Sequence, residues 1–184
     1  MAVLLSCFSS VVFSLILLIV YRKDLVKEFK IFKKDWLKNI DTGFKWYLVG
    51  LLVMMSSNLI LYYVLHSGGA SNENTVQAMI SSTPIFMALQ VCLIAPFNEE
   101  MVFRKTLYDV FKNKWIFIFL SFLLFGGAHI MSNASSFVDY LYIIPYGALG
   151  ASFAMAYSKT DTVFTSMSLH MMHNTCLFLL SVLI

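Results

Sequence analysis

Six apolar stretches, each close to the length of a membrane span, constrain this chain more than any other feature of its sequence. A helix of roughly 20 apolar residues crosses a hydrocarbon core of about 30 Å. None of the stretches alternates apolar and polar residues as a barrel strand does. The sequence therefore predicts an all-α fold, a polytopic transmembrane helix bundle of about six spans. The predicted spans are Ala2–Tyr21, Trp46–His66, Ala78–Phe97, Trp115–Met131, Phe137–Ser158 and Thr162–Ile184.

The composition excludes several classes of protein. Of the 184 residues, 59% are hydrophobic and 12% are charged, whereas a soluble domain has about 45–50% apolar and about 25% charged residues. A soluble globular enzyme, a disordered chain and a nucleic-acid-binding module are therefore excluded. The expected surroundings are the lipid bilayer, and a chain of this length is expected to form one membrane domain. The sequence does not indicate an oligomeric state.

The basic residues predict how the spans are oriented. All 13 Lys and Arg residues lie in three connections, namely 22–45, 98–114 and the short one that contains Lys159, while the connections 67–77 and 132–136 hold none. Because basic connections stay in the cytoplasm, we expect a multi-pass protein of the cell membrane with both termini outside. Apolar and aromatic residues alternate with the lysines of segment 22–45, which predicts an interfacial linker on the anionic leaflet.

A pair of glutamates follows the third predicted span. Glu100 and Arg104 are four residues apart, so they can pair on one helix face. Glu99 is rotated by about 100° from that face and has no local cation. One interpretation is that Glu99 is a poorly solvated carboxylate suited to act as a general base. The other is that solvated charges begin a cytoplasmic loop. We expect the third span to continue through Arg104, because this places Glu99 deeper in the membrane.

The fourth and sixth predicted spans each carry polar residues at helical spacing. Phe125 and His129 share a helix face, and the two glycines between them let a neighbouring helix approach closely. His170 and Asn174 also share a face, so an imidazole and an amide can point at one atom, such as a substrate oxyanion. His173 could replace His170 in this role. Each of these two motifs alone is better explained by packing and hydrogen bonding between helices.

Taken together, the three polar groups favour one shared site. An isolated polar group inside a membrane is costly, and the cheapest arrangement brings such groups into contact in the bundle interior. A carboxylate, two imidazoles and an amide are suited to activating water and stabilising an oxyanion. The residues therefore indicate hydrolysis within the membrane, at an interior site that faces the cytoplasm.

The three motifs occur in order on successive apolar segments: Glu99-Glu100-x-x-x-Arg104, Phe125-x-x-x-His129 and His170-x-x-x-Asn174. This set resembles the CPBP family, the CAAX protease and bacteriocin-processing family that is also called Abi and includes the type II CAAX prenyl endopeptidases. The resemblance covers residues 78–184 as a catalytic core. Residues 1–77 match only in being hydrophobic, and we treat them as variable N-terminal spans that include the basic linker 22–45.

The resemblance implies an intramembrane endopeptidase that cleaves a hydrophobic peptide or a membrane-protein terminus, with bacteriocin or pheromone processing or self-immunity as its role in bacteria. It implies that Glu99 and His129 activate the attacking water and that His170 and Asn174 form the oxyanion site. Glu100 and Arg104 would be a structural pair.

Three alternatives stay open at this point. No cofactor is expected, but Glu99, His129 and His170 could instead supply three ligands for Zn²⁺. The chain could also be a non-catalytic bacteriocin-immunity or membrane scaffold protein of the same fold. A rhomboid-like serine protease would use Ser152 as its nucleophile, with His170 as the base.

Overall fold

The computed structural model describes residues 2–66, 71–131, 134 and 136–183, and this part of the chain is helical and without strands. The all-α fold class is therefore confirmed. The described helices are α1 (Ala2–Lys34), α2 (Trp36–Leu65), α3 (Ser71–Ser82), α4 (Pro84–Val110), α5 (Lys114–Ile130), α6 (Phe137–Leu141), α7 (Ile143–Thr160) and α8 (Val163–Leu183).

Within the described ranges, three helical segments are long and apolar enough to cross a bilayer by length and composition: Leu5–Lys34, Trp36–Leu65 and Pro84–Val110. Helix α5 is apolar but has 17 residues. Helices α7 and α8 fall outside this set, and they carry the Ser, Thr, His and Asn side chains that line the bundle interior. The chain is thus a transmembrane helical bundle, and the count of six spans stays a prediction.

The third span differs from the predicted range Ala78–Phe97. It begins at Pro84 and runs to Val110. Thr83 is non-helical, with φ −144° and ψ 64°, because a proline disfavours the helical conformation of the residue before it and is itself well suited to start a helix. The expected continuation of this helix through Arg104 is confirmed.

Two other predicted boundaries also change. The predicted span Phe137–Ser158 is divided at Tyr142 into α6 and α7. Segment 22–45 forms no helix of its own, since its first part continues α1 and its second part begins α2 after a single break at Asp35. Its Lys, Leu, Glu and Phe residues are compatible with a helix, so only the break at Asp35 interrupts it. Its interfacial position stays a prediction.

Helix α7 packs between α2 and α5 through small residues. A Cβ atom built on Gly50 of α2 would lie 2.5 Å from the Cβ of Ser152 in α7. A Cβ atom on Gly126 of α5 would lie 2.7 Å from the carbonyl oxygen of Ile143. Close backbone approach at small residues is the usual packing mode of membrane helices. The predicted role of the glycines in the fourth span is confirmed at Gly126.

We predict that Gly50→Ala destabilises the bundle by about 1–3 kcal/mol, because the added methyl overlaps Ser152 and must push α2 away from α7. Gly127→Ala is the matched control, since the nearest atom to its added methyl is the Met131 sulfur at 3.9 Å. There the helix propensity of alanine should leave stability equal or higher. Unfolding of both variants in mixed micelles measures the difference, and equal midpoints would contradict the packing explanation.

Helix α1 attaches to α4 by a row of polar contacts. The Ser14 hydroxyl donates to Asn98 Oδ1 at 2.7 Å, and Asn98 Nδ2 donates to the carbonyl oxygen of Ser10 at 3.1 Å. About two turns further along, the hydroxyls of Tyr21 and Thr106 share a hydrogen bond of 2.8 Å. These contacts place α1 directly beside the glutamate pair, since Asn98 immediately precedes Glu99 in the chain.

A buried carboxylate, Glu28, extends the polar contacts between α1 and α4 toward the C-terminal end of α1. Glu28 accepts from Lys105 Nζ and from the Tyr157 hydroxyl, each at 3.0 Å, and from the backbone N–H of Val163 at 2.7 Å. Val163 is the first residue of α8, so Glu28 supplies an acceptor that a helix N-terminus needs. The N-terminal helix thereby sets the relative positions of α4 and α8, the two helices that carry the central site residues.

Candidate active site

Helix α4 presents the glutamate pair between two irregular turns. Residues Gln90–Ile94 and Met101–Thr106 are π-helical, and Ala95–Glu100 between them is α-helical. Pro96 has no N–H to donate, which removes one regular hydrogen bond next to the first wide turn. The Thr106 hydroxyl donates to the carbonyl oxygen of Met101 at 2.9 Å across the second. Single π turns inside α-helices are frequent at functional sites.

Glu100 is the centre of a buried ionic network. Its Oε1 atom lies 3.2 Å from Arg104 Nη1 and 2.9 Å from His170 Nδ1. The side chains of Glu100 and Arg104 are both fully buried. Arg104 Nη2 also donates to the carbonyl oxygen of Gly150 at 3.3 Å. The pairing predicted from the four-residue spacing is confirmed, but the spacing did not indicate that Glu100 also holds a histidine of α8.

Aromatic rings enclose this network. The Arg104 guanidinium carbon lies 4.4 Å from the centre of the Phe125 ring and 5.3 Å from that of Phe153, as in cation–π contacts. The Phe153 ring stacks on His170 with centroids 4.9 Å apart. Phe125 contacts His170 and His129, at 5.7 and 4.5 Å between centroids. The rings exclude water from the ion pair and bring all three motifs into one region.

Glu99 lies at the edge of the network. Its Oε2 atom is 3.6 Å from His170 Nε2, and its side chain is 27% exposed. That oxygen is buried and makes no hydrogen bond to any described residue. A separation of 3.6 Å exceeds a direct hydrogen bond, and it is a distance at which a bridging water is to be considered. Glu99 is therefore both partly accessible and left with an unused acceptor beside an imidazole.

The hydrogen bond to Glu100 determines which ring nitrogen of His170 faces Glu99. A carboxylate beside Nδ1 accepts a hydrogen bond from that nitrogen, so Nδ1 carries the hydrogen and Nε2 points toward Glu99. If the ring is neutral, Nε2 accepts a hydrogen bond. If the ring is protonated, Nε2 donates one while Glu100 stabilises the positive charge on the imidazolium. Glu100 therefore orients His170 in the way that a carboxylate orients a catalytic histidine.

His129 lies on the other side of Phe125. Its Nδ1 atom is 2.8 Å from the carbonyl oxygen of Phe125, and its ring stacks on Tyr146 at 4.7 Å between centroids. These contacts fix the orientation of the ring. Among the described side chains, His129 makes no hydrogen bond to Glu99. Joint activation of water by Glu99 and His129 stays a prediction.

The spacing did not predict which groups His173 and Asn174 of α8 contact, and the structure shows different partners for the two. His173 accepts or donates a 3.1 Å hydrogen bond with the Tyr47 hydroxyl of α2 through Nδ1, so it faces α2 while His170 faces Glu100. Asn174 Nδ2 donates to the carbonyl oxygen of Val91 at 3.0 Å, in the first π-helical turn of α4. This bond ties α8 to the wide turn and uses one of the two amide N–H groups. A shared target for His170 and Asn174 stays a prediction.

The described residues do not fit a zinc site. Across the described ranges, no three His, Cys, Asp or Glu side chains lie close enough together to hold a metal ion. Phe125 lies between the rings of His129 and His170.

The geometry also gives no support to Ser152 as a nucleophile. Its hydroxyl donates to the carbonyl oxygen of Leu149 in its own helix at 2.8 Å, and its side chain packs against Gly50 of α2. Activation by His170 would need a hydrogen bond between the two side chains, whereas His170 bonds Glu100. Ser152 is placed as a packing residue between two helices.

Sequence reasoning missed Phe153 and Tyr47, both of which support the site. The Tyr47 ring stacks on Phe153 at 6.2 Å between centroids, and Phe153 in turn stacks on His170. Phe153 follows a run of small residues and lies one turn after Gly150, the residue that accepts from Arg104. A large ring next to small residues in a predicted span could have indicated Phe153 from the sequence. Nothing in the sequence indicated Tyr47, because it lies outside the three motifs.

The fold and the site together define a helical membrane protein with a buried acid–base network in its interior. The family model for "Type II CAAX prenyl endopeptidase Rce1-like" matches residues 81–176, over half of the chain. The chain belongs to this family, and the resemblance drawn from the three motifs is confirmed.

Curated relatives agree with this membership. The chain is 27% identical over 155 residues to "Putative membrane peptidase YdiL" of Bacillus subtilis (strain 168), covering 77% of this chain and 60% of that protein. It is 29% identical over 143 residues to "Membrane-embedded CAAX protease MroQ" of Staphylococcus aureus (strain USA300), covering 70% and 54%. The chain thus spans little more than half the length of these relatives. No solved structure matches it.

Proposed function

We propose that this protein is an intramembrane endopeptidase that hydrolyses a peptide bond in a hydrophobic peptide or a membrane-protein terminus. The observation that carries the proposal is the position of Glu99, whose buried oxygen makes no hydrogen bond to any residue that the structure describes and lies 3.6 Å from His170 Nε2. Family membership supports the same reaction class. Processing of a bacteriocin or pheromone peptide, or self-immunity, is the proposed role, because the three motifs resemble those of proteins with these roles and the relatives above are bacterial.

In the proposed mechanism, Glu99 takes a proton from a water molecule whose oxygen attacks the carbonyl carbon of the scissile bond. The carbonyl oxygen gains the negative charge. A protonated His170 can donate to it through Nε2, because Glu100 accepts from Nδ1. Glu99 then gives its proton to the leaving nitrogen as the C–N bond breaks. Asn174 is the proposed second donor, and His129 the proposed assistant of Glu99.

The buried pair of Glu100 and Arg104 supports this chemistry without contacting the reacting atoms. Arg104 balances the charge of Glu100 and is itself held by the carbonyl oxygen of Gly150. Glu100 is thereby fixed where it orients His170. We propose that Glu100 is a positioning residue, which extends the structural role first inferred for the pair.

His170 and His173 provide a matched test of this function. We expect His170→Gln to abolish cleavage in cells, because it removes the group beside Glu99. His173→Gln should retain most cleavage, because His173 contacts Tyr47 instead. Both residues are buried in the same helix, so the two substitutions carry similar risks for folding. The measurement compares the peptide termini present in membranes of cells that express wild type, His170→Gln or His173→Gln at equal protein levels.

The result also separates the catalytic protein from its main alternative. A non-catalytic immunity or scaffold protein of the same fold would leave the set of peptide termini unchanged in all three strains. Termini that appear with wild type and with His173→Gln, and are absent with His170→Gln, would support proteolysis. Termini that persist with His170→Gln would contradict the proposed site.

A further inference from the structure

A second candidate site lies where α4 ends and α5 begins, apart from the glutamate and histidine network. A cavity of about 300 Å³ opens there, and its lining residues are Tyr108, Asp109, Phe111, Lys112, Lys114 and Ser158. None of the residues assigned above to the proposed reaction lines it. We call this feature the lysine cavity, and we include Lys159 because it directly follows Ser158, which lines the cavity, and its charge acts on Lys114.

Three cations surround the lysine cavity without an ion pair from the described part of the protein. The ion pairs in that part involve Lys45, Arg104, Lys105 and His170, and not Lys112, Lys114 or Lys159. The like charges of Lys114 and Lys159 repel each other at close contact. An anion between these ammonium groups would remove that repulsion and pair with all three.

The neighbouring carboxylates already have other partners. Asp109 lines the cavity, but its Oδ1 atom lies 3.0 Å from Lys105 Nζ. Asp161 follows Lys159 by two residues, and its Oδ1 atom accepts from the Tyr108 hydroxyl at 3.1 Å. These acidic groups reduce the positive potential of the cavity, but each already has a partner of its own. Among the described residues, the lysines therefore remain available to an anion from outside the chain.

The surroundings of the cavity indicate a lipid rather than a soluble anion. The side chains that follow it along one side of α5 are apolar and point away from the bundle, with Trp115 exposed by 71%, Ile116 by 48% and Phe119 by 61%. Tryptophan is enriched at the level of lipid headgroups. An acyl chain can therefore run along this side of α5 while its headgroup remains at the cavity.

We propose that the lysine cavity binds the phosphate group of an anionic phospholipid, with the acyl chains lying along the apolar side of α5. The lysines supply the charge that selects an anionic headgroup, and Trp115 and Phe119 supply the apolar surface that a free phosphate ion does not need. Such a lipid would fix the junction between α4 and α5, the helices that carry Glu99 and His129. Binding itself does not depend on the proposed proteolysis.

The test uses the full chain in detergent, analysed by native mass spectrometry while phosphatidylglycerol or phosphatidylcholine is added. We expect one tightly retained phosphatidylglycerol per chain. The variant Lys112→Gln/Lys114→Gln/Lys159→Gln should weaken its retention by about 100-fold, at about 5-fold for each lysine at a membrane surface. The control Lys23→Gln/Lys30→Gln/Lys38→Gln removes the same charge from exposed positions of α1 and α2. It should weaken only the loose attraction of anionic lipid predicted for segment 22–45 and should keep the one tightly retained lipid.

Two outcomes would overturn the proposal. Equal retention by the two triple variants would mean that overall charge, and not this cavity, holds the lipid. Displacement of phosphatidylglycerol by an excess of inorganic phosphate would assign the site to a soluble anion. A third measurement tests whether the cavity variant still folds. In lipid-free micelles its unfolding midpoint must equal that of the wild type. Added phosphatidylglycerol should raise the midpoint of the wild type but not that of the cavity variant.

Discussion

Glu99→Gln is expected to lower kcat for peptide hydrolysis by about 10³-fold, within the range that a general base contributes. Glutamine keeps the shape of the side chain but cannot take a proton from water. KM should change little, because the variant still fills the same space. Stability should be unaffected, since Glu99 Oε2 makes no hydrogen bond to a described residue in the wild type. The measurement is steady-state cleavage of a quenched fluorescent peptide by the full chain in lipid nanodiscs.

The peptide should carry a cleavage site found by comparing the peptide termini of cells that express wild type, His170→Gln or His173→Gln. Glu73→Gln is the matched control, because it makes the same chemical change at an exposed position of α3. It should hydrolyse the peptide at the wild-type rate. If Glu99→Gln retained more than about a tenth of wild-type kcat, Glu99 would not be the base, because even a weak general base contributes about 10²-fold.

Glu100→Gln is expected to have the largest effect on stability, about 3–5 kcal/mol. The substitution leaves the fully buried guanidinium of Arg104 without its carboxylate partner. It also removes the negative charge that stabilises a protonated His170, so kcat should fall in whatever fraction remains folded. The double variant Glu100→Gln/Arg104→Gln removes both charges and should recover part of the stability. It should not recover activity, because a glutamine amide oxygen can still accept from His170 Nδ1 but cannot balance the positive charge of the imidazolium.

An exposed ion pair with the same spacing is the control for this prediction. Asp41 and Lys45 are also four residues apart and lie 2.6 Å from each other, but their side chains are 63% and 71% exposed. Asp41→Asn should cost less than about 1 kcal/mol, because water already solvates both charges. Unfolding in mixed micelles gives the free energy of unfolding for the wild type, Glu100→Gln, the double variant and Asp41→Asn. Similar losses for Asp41→Asn and Glu100→Gln would show that burial of the network is not what makes it costly to break.

The sequence predicted those parts of the site that depend on spacing within one helix. Glu100 and Arg104 pair, and Phe125 contacts His129, because residues four apart share a helix face in any surroundings. The bond between Glu100 and His170 could not be predicted in this way, because it joins residues 70 positions apart. It depends on the rotation of α8 against α4, and no local pattern encodes that rotation.

The sequence also could not decide which of His170 and His173 contacts Glu100. Both are buried on α8, three residues apart, and spacing alone allowed either to face the carboxylates. The Tyr47 hydroxyl decides, because it gives His173 a partner on α2 and leaves His170 for Glu100. Tyr47 lies outside residues 78–184, to which the resemblance was confined, so its part in the site could not be inferred from the three motifs.

The two π-helical turns of α4 make the number of residues in this helix a determinant of the active site. A π turn holds one residue more than the α-helical turn it replaces. Deleting one residue from Met101–Thr106 would restore a regular turn, and the helix beyond Thr106 would keep nearly its present orientation, because the π turn absorbs its extra residue within one turn. The residues inside the turn would move instead: Lys105 would lose its position at Glu28, and Arg104 its position between its two rings. A single-residue deletion here would therefore disrupt the buried charge network while the helical content and the course of the helix stay the same.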